Sequence, residues 1–453
     1  MNQTVDNLNL VSNMVIKERG KMHHLSTDIC HYLYSLADEQ NGKNVSLMLN
    51  GVPTLIVQNR EDAEYVLRRN YANYEKNMVW FKQALGASRF FENGQIWKLH
   101  KNLTQPFLNR FDDQQTVKLA IHYAQQGLAQ LINGGREGQV TLDDGIFRKM
   151  AMAVFLENFF PISLEESGIN IDSIAELMEF SSEFSFIPAG TLNTQHRRRL
   201  VKLRALRRQV NGQLQIFRDP KYTNPLLERI LQAEAEPENQ VVLEDELMAF
   251  LAAGSESTAA TMSWVCYLLA CHPEQQEKLY QEVMAHPQPT NWQQLSQMPG
   301  LMTFISEALR LYPPIPIIIR QALGKDRIGD DEISEQQNII ISFIGIMRNQ
   351  NVYQNPAELN LRDDDYSPLN DKESGIGISF SHGPRICGGK DFALVELAGF
   401  VYTFLKQASF TLTSDLPPRF YWKSQMVNQG GQPVRVTPRS NERVDIVPSL
   451  ATP

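Results

Sequence analysis

Cys387 is placed where its sulfur could serve as an anion. It lies in the run Phe380-Ser381-His382-Gly383-Pro384-Arg385-Ile386-Cys387-Gly388-Gly389, and a helical pattern over residues 390–407 follows at once. A sulfur beside an emerging helix N-terminus meets free backbone N–H groups and the positive end of the helix dipole, which favour a thiolate. Gly383, Gly388 and Gly389 would let the backbone approach something flat and bulky. Phe380 would pack beside the sulfur and exclude water. A free cysteine is ordinarily buried and inert. The spacing F-x-x-G-x-R-x-C-x-G separates this one from that default.

Three further groups of residues carry chemistry. Residues 242–271 form the longest continuous helical pattern, ended by His272-Pro273. Within it lies Ala253-Gly254-Ser255-Glu256-Ser257-Thr258. A mid-helix glycine costs about 1 kcal/mol relative to alanine, so a gain elsewhere must offset it. Close approach of a flat ligand is one candidate, and hydroxyls that bond back one turn would open a local kink. Glu307 and Arg310 share a helix face three residues apart, before Tyr312-Pro313-Pro314. Trp97 and Lys101 share another face four apart, and could hold a carboxylate between an indole N–H and a cation.

In this order the motifs resemble those of the cytochrome P-450 family. The resemblance implies a mainly α fold with a small β region, a triangular helical prism around haem. It implies one haem domain over residues 1–453, with 1–25 a flexible N-terminal segment. Haem b (iron protoporphyrin IX) would be the cofactor and O2 the co-substrate. Cys387 would be the axial metal ligand, with Phe380 beside it and Gly254 on the facing wall. Glu256 would be the acid and Ser257 the alcohol of a proton relay. The family's usual threonine is a serine here, and Thr258 would partly compensate. Trp97, Lys101, Arg320 and Arg385 would hold the haem propionates. Lys101 replaces an arginine and lacks its planar fork. Glu307–Arg310 would be a buried structural pair; in the family an arginine completes a triad with it, and Arg362 stands near that place, one residue early.

The resemblance also implies a reaction. O2 and two electrons from a separate donor, a ferredoxin or flavodoxin with its reductase, would hydroxylate a hydrophobic small molecule, a fatty acid or a specialised metabolite. The alternative is oxidative coupling or cyclisation of an aromatic substrate without oxygen insertion. A non-enzymatic haem-binding protein is a third class, against which Glu256 and Ser257 argue. No fused reductase is expected. Lys98, Lys101, Lys390 and Arg385 would attract an acidic redox partner.

Other elements must position these groups. Residues 45–57 read as a hairpin around Gly51-Val52-Pro53. Ile315 to Ile319 read as a strand lining a pocket, followed by Arg320. Residues 71–91 are aromatic-rich, and Phe180, Phe184 and Phe186 cluster further on; in the family these regions roof the pocket, and core packing is the alternative. The tail, residues 421–436, reads as a hairpin around Gln429-Gly430-Gly431 whose tip would reach the pocket. His196-Arg197-Arg198-Arg199 begins an amphipathic helix with a cationic, solvated face.

Composition sets bounds. The chain has 453 residues, 42% hydrophobic and 21% charged, enough for a large core. A net charge of −8 argues against nucleic acid as a partner. Four cysteines give neither a disulfide framework nor a zinc spacing. No signal peptide and no run of about 18 apolar residues is present, so a cytoplasmic location without a transmembrane anchor is expected.

Overall fold

The computed structural model describes residues 15–18, 21–49, 51–134, 139–142, 144–186, 192–361 and 376–439. Eight helices position the site: α1 (Gly94–Leu108), α2 (Asp113–Gly134), α3 (Gly145–Phe159), α4 (Ile171–Phe184), α5 (Thr194–Leu214), α6 (Leu243–Cys271), α7 (Pro299–Leu311) and α8 (Lys390–Gln407). Local chemistry sets their ends. Asn170 caps α4 by accepting from Ser173 N–H, Asn193 and His196 form a capping box on α5, and Pro299 opens α7. Helix α6 is apolar on nearly every side and is therefore a core helix rather than a surface one. It packs on α3 and α8, and α8 in turn packs along α2.

The β region is small. Its largest sheet has seven strands, in the order Lys21–His24, Val15–Glu18, Val45–Leu49, Val52–Val57, Asn338–Ser342, Ile317–Ala322, Tyr74–Glu75. The first expected hairpin is present, with Val45 opposite Ile56 and Leu49 opposite Val52. Of the N-terminal segment, residues 1–14 lie outside the described part of the chain, and Val15–Glu18 pairs with Lys21–His24.

The tail hairpin turns at Ser424, not at the glycines. Phe420–Lys423 pairs with Gln425–Asn428 across Ser424, whose φ is +74°. After Gly430 and Gly431, Gln432–Pro438 leaves to pair with Ala408–Leu412 and Gln139–Leu142. The glycines thus mark a crossing between two sheets.

Glu307 and Arg310 form a two-pronged ion pair inside the core, at 2.6 and 2.8 Å. Arg310 also donates to the carbonyls of Met347, Pro356 and Glu358, and Glu307 accepts from Asn360 N–H. One ion pair therefore ties α7 to the segment over residues 347–360. Arg362 lies outside the described residues. Removing one partner leaves a buried, unpaired charge. Arg310→Met is expected to destabilise the protein by about 3–5 kcal/mol, read as a lowered midpoint in denaturant unfolding. A midpoint equal to that of the unaltered protein would contradict the bracing role.

Candidate active site

Between α6 and the loop leading into α8 lies a cavity of about 370 Å³. Its floor is the Cys387 loop. Cys387 N–H donates to Phe380 O at 2.8 Å, which closes the loop on itself. The sulfur-bearing side chain is open to the cavity and Phe380 lines the wall beside it. Burial raises the thiol pKa above its ordinary value, opposed by the Gly389 N–H and by the Arg89 charge. The expected helix-end effect is therefore present but smaller than desolvation.

The loop glycines serve mostly the protein. Gly383 has φ +72°, and a Cβ there would sit 2.2 Å from Leu67 O. At Gly388 a Cβ would meet Gln105 and Arg89, and only at Gly389 is that side open. Gly254 follows the same logic. A Cβ on it would lie 2.6 Å from the Phe155 ring of α3, so the missing side chain admits a neighbouring helix. Close approach of a flat ligand is not what this glycine is needed for; Ala253 and Gly254 both line the cavity.

The hydroxyls of α6 bond back one turn as expected, Ser255 to Leu251 O, Ser257 to Ala253 O and Thr261 to Ser257 O, while the helix runs unbroken. Ser257 lines the cavity. Glu256 does not. It turns to α3, where its carboxylate pairs with Arg148 at 2.6 Å, and it is only 3% exposed. Arg148 also pairs with Asp144, which holds Lys423 at 2.9 Å. Burial lifts the Glu256 pKa to about 7, with Arg148 acting against it and Asp144 adding to it. Thr258 donates to Glu396 of α8 at 3.0 Å, so its hydroxyl is committed away from Ser257's. Burial holds the Glu396 carboxyl far above the usual carboxylate range.

The opposite end of the cavity is cationic. Trp97 of α1 lines it, and the Arg385 guanidinium stacks 4.3 Å over the Trp97 ring. Arg385 donates to Glu92 O and Asn93 Oδ1, while its other terminal nitrogen is buried without a hydrogen-bond partner. Arg320, 3% exposed, donates to Ile319 O. Burial and the neighbouring Arg385 lower Arg320 to about 9, and burial lowers Arg385 to about 10. Lys101 is the exception among the expected residues. Its ammonium donates to Pro384 O at 2.8 Å and does not line the cavity. Two cations were not anticipated. Lys76 and Arg89 both line the cavity, Lys76 bonding Phe90 O. Burial, then Arg320 and Arg385, push Lys76 well below its ordinary pKa.

The remaining wall is apolar and aromatic: Trp80, Phe81, Phe90, Phe91, Ile317 to Ile319 and Trp422. The hairpin tip contributes Ser424 and Gln425. Phe180, Phe184 and Phe186 pack instead against Arg199, Trp80 and Trp422, so that cluster is core.

Residues 12–434 match the family model described as Cytochrome P450. The chain belongs to the cytochrome P450 family. It is 30% identical over 365 residues to Cytochrome P450 4A24 of Sus scrofa, covering 73% of this chain and 70% of that one. It is 34% identical over 203 residues to Leukotriene-B4 omega-hydroxylase 3 of Mus musculus, covering 43% of this chain and 38% of that one. A cytochrome P450DA mutant haem domain shares the fold, with a TM-score of 0.74 at 17% identity over 92% of this chain and 96% of the other. This P450 is thus an oxidoreductase of the monooxygenase class, and the family implies haem iron and O2.

The residues present fit such a group. Four cations and a sulfur line the cavity, no Asp or Glu does so among the described residues, and one guanidinium nitrogen is orphaned. A dianionic, flat, apolar-bodied cofactor supplies what this lining lacks.

The sign of the Glu256 shift gives a prediction. A carboxyl raised from 4.5 to about 7 keeps its proton in the folded state across that window and loses it in the unfolded state. Stability then falls as pH rises through the window. Glu256→Gln is expected to flatten that fall by up to about 1.4 kcal/mol per pH unit, read in unfolding curves taken across the window. Parallel curves for the two proteins would contradict it.

Proposed function

We propose that this P450 inserts one oxygen atom of O2 into a hydrophobic small molecule, a fatty acid or a specialised metabolite. The observation that carries this reading is the cavity lining. An aromatic and aliphatic surface shares the cavity with the Cys387 sulfur, and Ser257 lines it too. Such a wall takes an apolar substrate by burial rather than by directed polar contacts. Hydroxylase names among the relatives agree with it.

The residue roles follow. Haem b, when bound, supplies the iron at which O2 is activated, with a thiolate ligand that favours O–O cleavage. Cys387 provides that sulfur and Phe380 shields it. Arg320, Arg385 and Lys76 would hold the two propionates, with Trp97 carrying Arg385 on its ring. Lys101 acts at one remove, by fixing Pro384 in the sulfur loop. Ser257 opens its Oγ to the cavity and can pass a proton there by turning its O–H away from Ala253 O. Glu256 lies one residue back on α6 and, with a pKa near neutrality, can reload that hydroxyl through water once it releases Arg148. Thr258 keeps α6 registered on α8 through Glu396. Electrons arrive from a separate protein, a ferredoxin or flavodoxin with its reductase, at the surface bearing the exposed Lys98 and half-buried Lys390.

Turnover under isotopically labelled O2 tests the proposal. One labelled oxygen in the product is expected; coupled or cyclised products without label would overturn it in favour of oxidation without insertion. Within the same assay, Ser257→Ala should lower product formed per electron consumed by about tenfold or more. Ser257→Thr should not. Equal ratios for all three proteins would remove Ser257 from the relay.

A further inference from the structure

We infer that Arg89 is a positioning residue for the sulfur ligand: its guanidinium, fixed against the Cys387 loop, raises the reduction potential of the iron held there. The inference rests on Cys387 being the haem ligand. Arg89 is 7% exposed and comes from the segment before α1. It donates to Thr104 Oγ1 at 3.2 Å and to Gln105 Oε1 at 2.5 Å. Gln105 donates onward to Gly388 O at 3.2 Å. A Cβ on Gly388 would lie 2.7 Å from an Arg89 terminal nitrogen, so the guanidinium rests on the residue next to the cysteine.

Both hydrogen-bond partners are neutral. They fix the guanidinium without cancelling its charge. Glu246 of α6 is the acid that acts on Arg89, and it is buried in a pair with His100 of α1. Arg320, Arg385 and Lys76 would suffice for two propionates, which leaves Arg89 for the sulfur. Reduction adds one electron, taking ferric iron to ferrous with no bond made or broken. A fixed cation in a low-dielectric setting favours the more negative state.

The test is a spectroelectrochemical titration of the purified holoprotein. Arg89→Gln is expected to lower the potential by a tenfold or greater change in the reduction constant, about 59 mV for one electron. Arg89→Lys keeps the charge and should stay within about threefold of the unaltered protein. Gln105→Glu places a carboxylate on the guanidinium and should lower the potential with Arg89 intact, which decides the matter should Arg89→Gln lose haem. Unmoved potentials in Arg89→Gln and Gln105→Glu would overturn the inference, as would a shift in Arg89→Lys equal to that in Arg89→Gln. The reduced carbon-monoxide complex of the unaltered protein separates the two layers. A thiolate-type Soret band with unmoved potentials defeats only the Arg89 role; absence of that band defeats the ligand reading and this inference with it.

Discussion

A guanidinium taken out of water without an anion loses several kcal/mol of solvation. This fold accepts that cost repeatedly about one cavity. Arg89 and Arg320 are buried, and Lys76 and Arg385 open only partly. Each is held by neutral groups: Phe90 O, Thr104 and Gln105, Ile319 O, Glu92 O and Asn93. Such contacts orient a cation but do not compensate its charge. Burial lowers the pKa values of both Arg320 and Arg385, and at Arg320 the neighbouring Arg385 adds to it. Two propionates and one thiolate would bring three negative charges to four positive ones. The architecture therefore makes sense as the protein half of a complex.

The facing wall obeys a different rule. Helix α6 is buried almost throughout, so its polar groups must find partners within the fold. Glu256 finds Arg148, Thr258 finds Glu396, and Ser255 and Thr261 turn back on their own helix. Ser257, Thr258 and Thr261 line the cavity, Thr258 tied to Glu396 and Thr261 to the Ser257 carbonyl. Glu256, the acid of the proposed relay, is held in an ion pair with Arg148 of α3, and its own burial sets its pKa near neutrality.

Much of this was legible from spacing. The sulfur loop, the long central helix, the Glu307–Arg310 pair and the hairpin over residues 45–57 stand where the motifs and periodicities put them. The errors have physical causes. Gly254, Gly383 and Gly388 were read as making room for a ligand, but they admit Phe155, the Leu67 backbone and Arg89. Spacing along one chain does not show which neighbour fills a glycine's missing volume. The tail glycines mark a crossing between sheets, because Gln432–Pro438 finds better partners in two distant strands than in Gln425–Asn428. Lys76 and Arg89 lie in an irregular aromatic segment where no period assigns a facing side. Glu396 did leave a signal: it is a lone charge inside an apolar helical run, which requires a buried partner.

The charge imbalance is the central claim, and binding to the haem-free protein tests it most directly. Haem and its dimethyl ester share the same iron and apolar face but differ in two negative charges. Esterification is expected to weaken binding by at least about tenfold per propionate. Equal affinity of haem and its dimethyl ester would contradict the account, since the cations would then be serving something other than the cofactor's carboxylates.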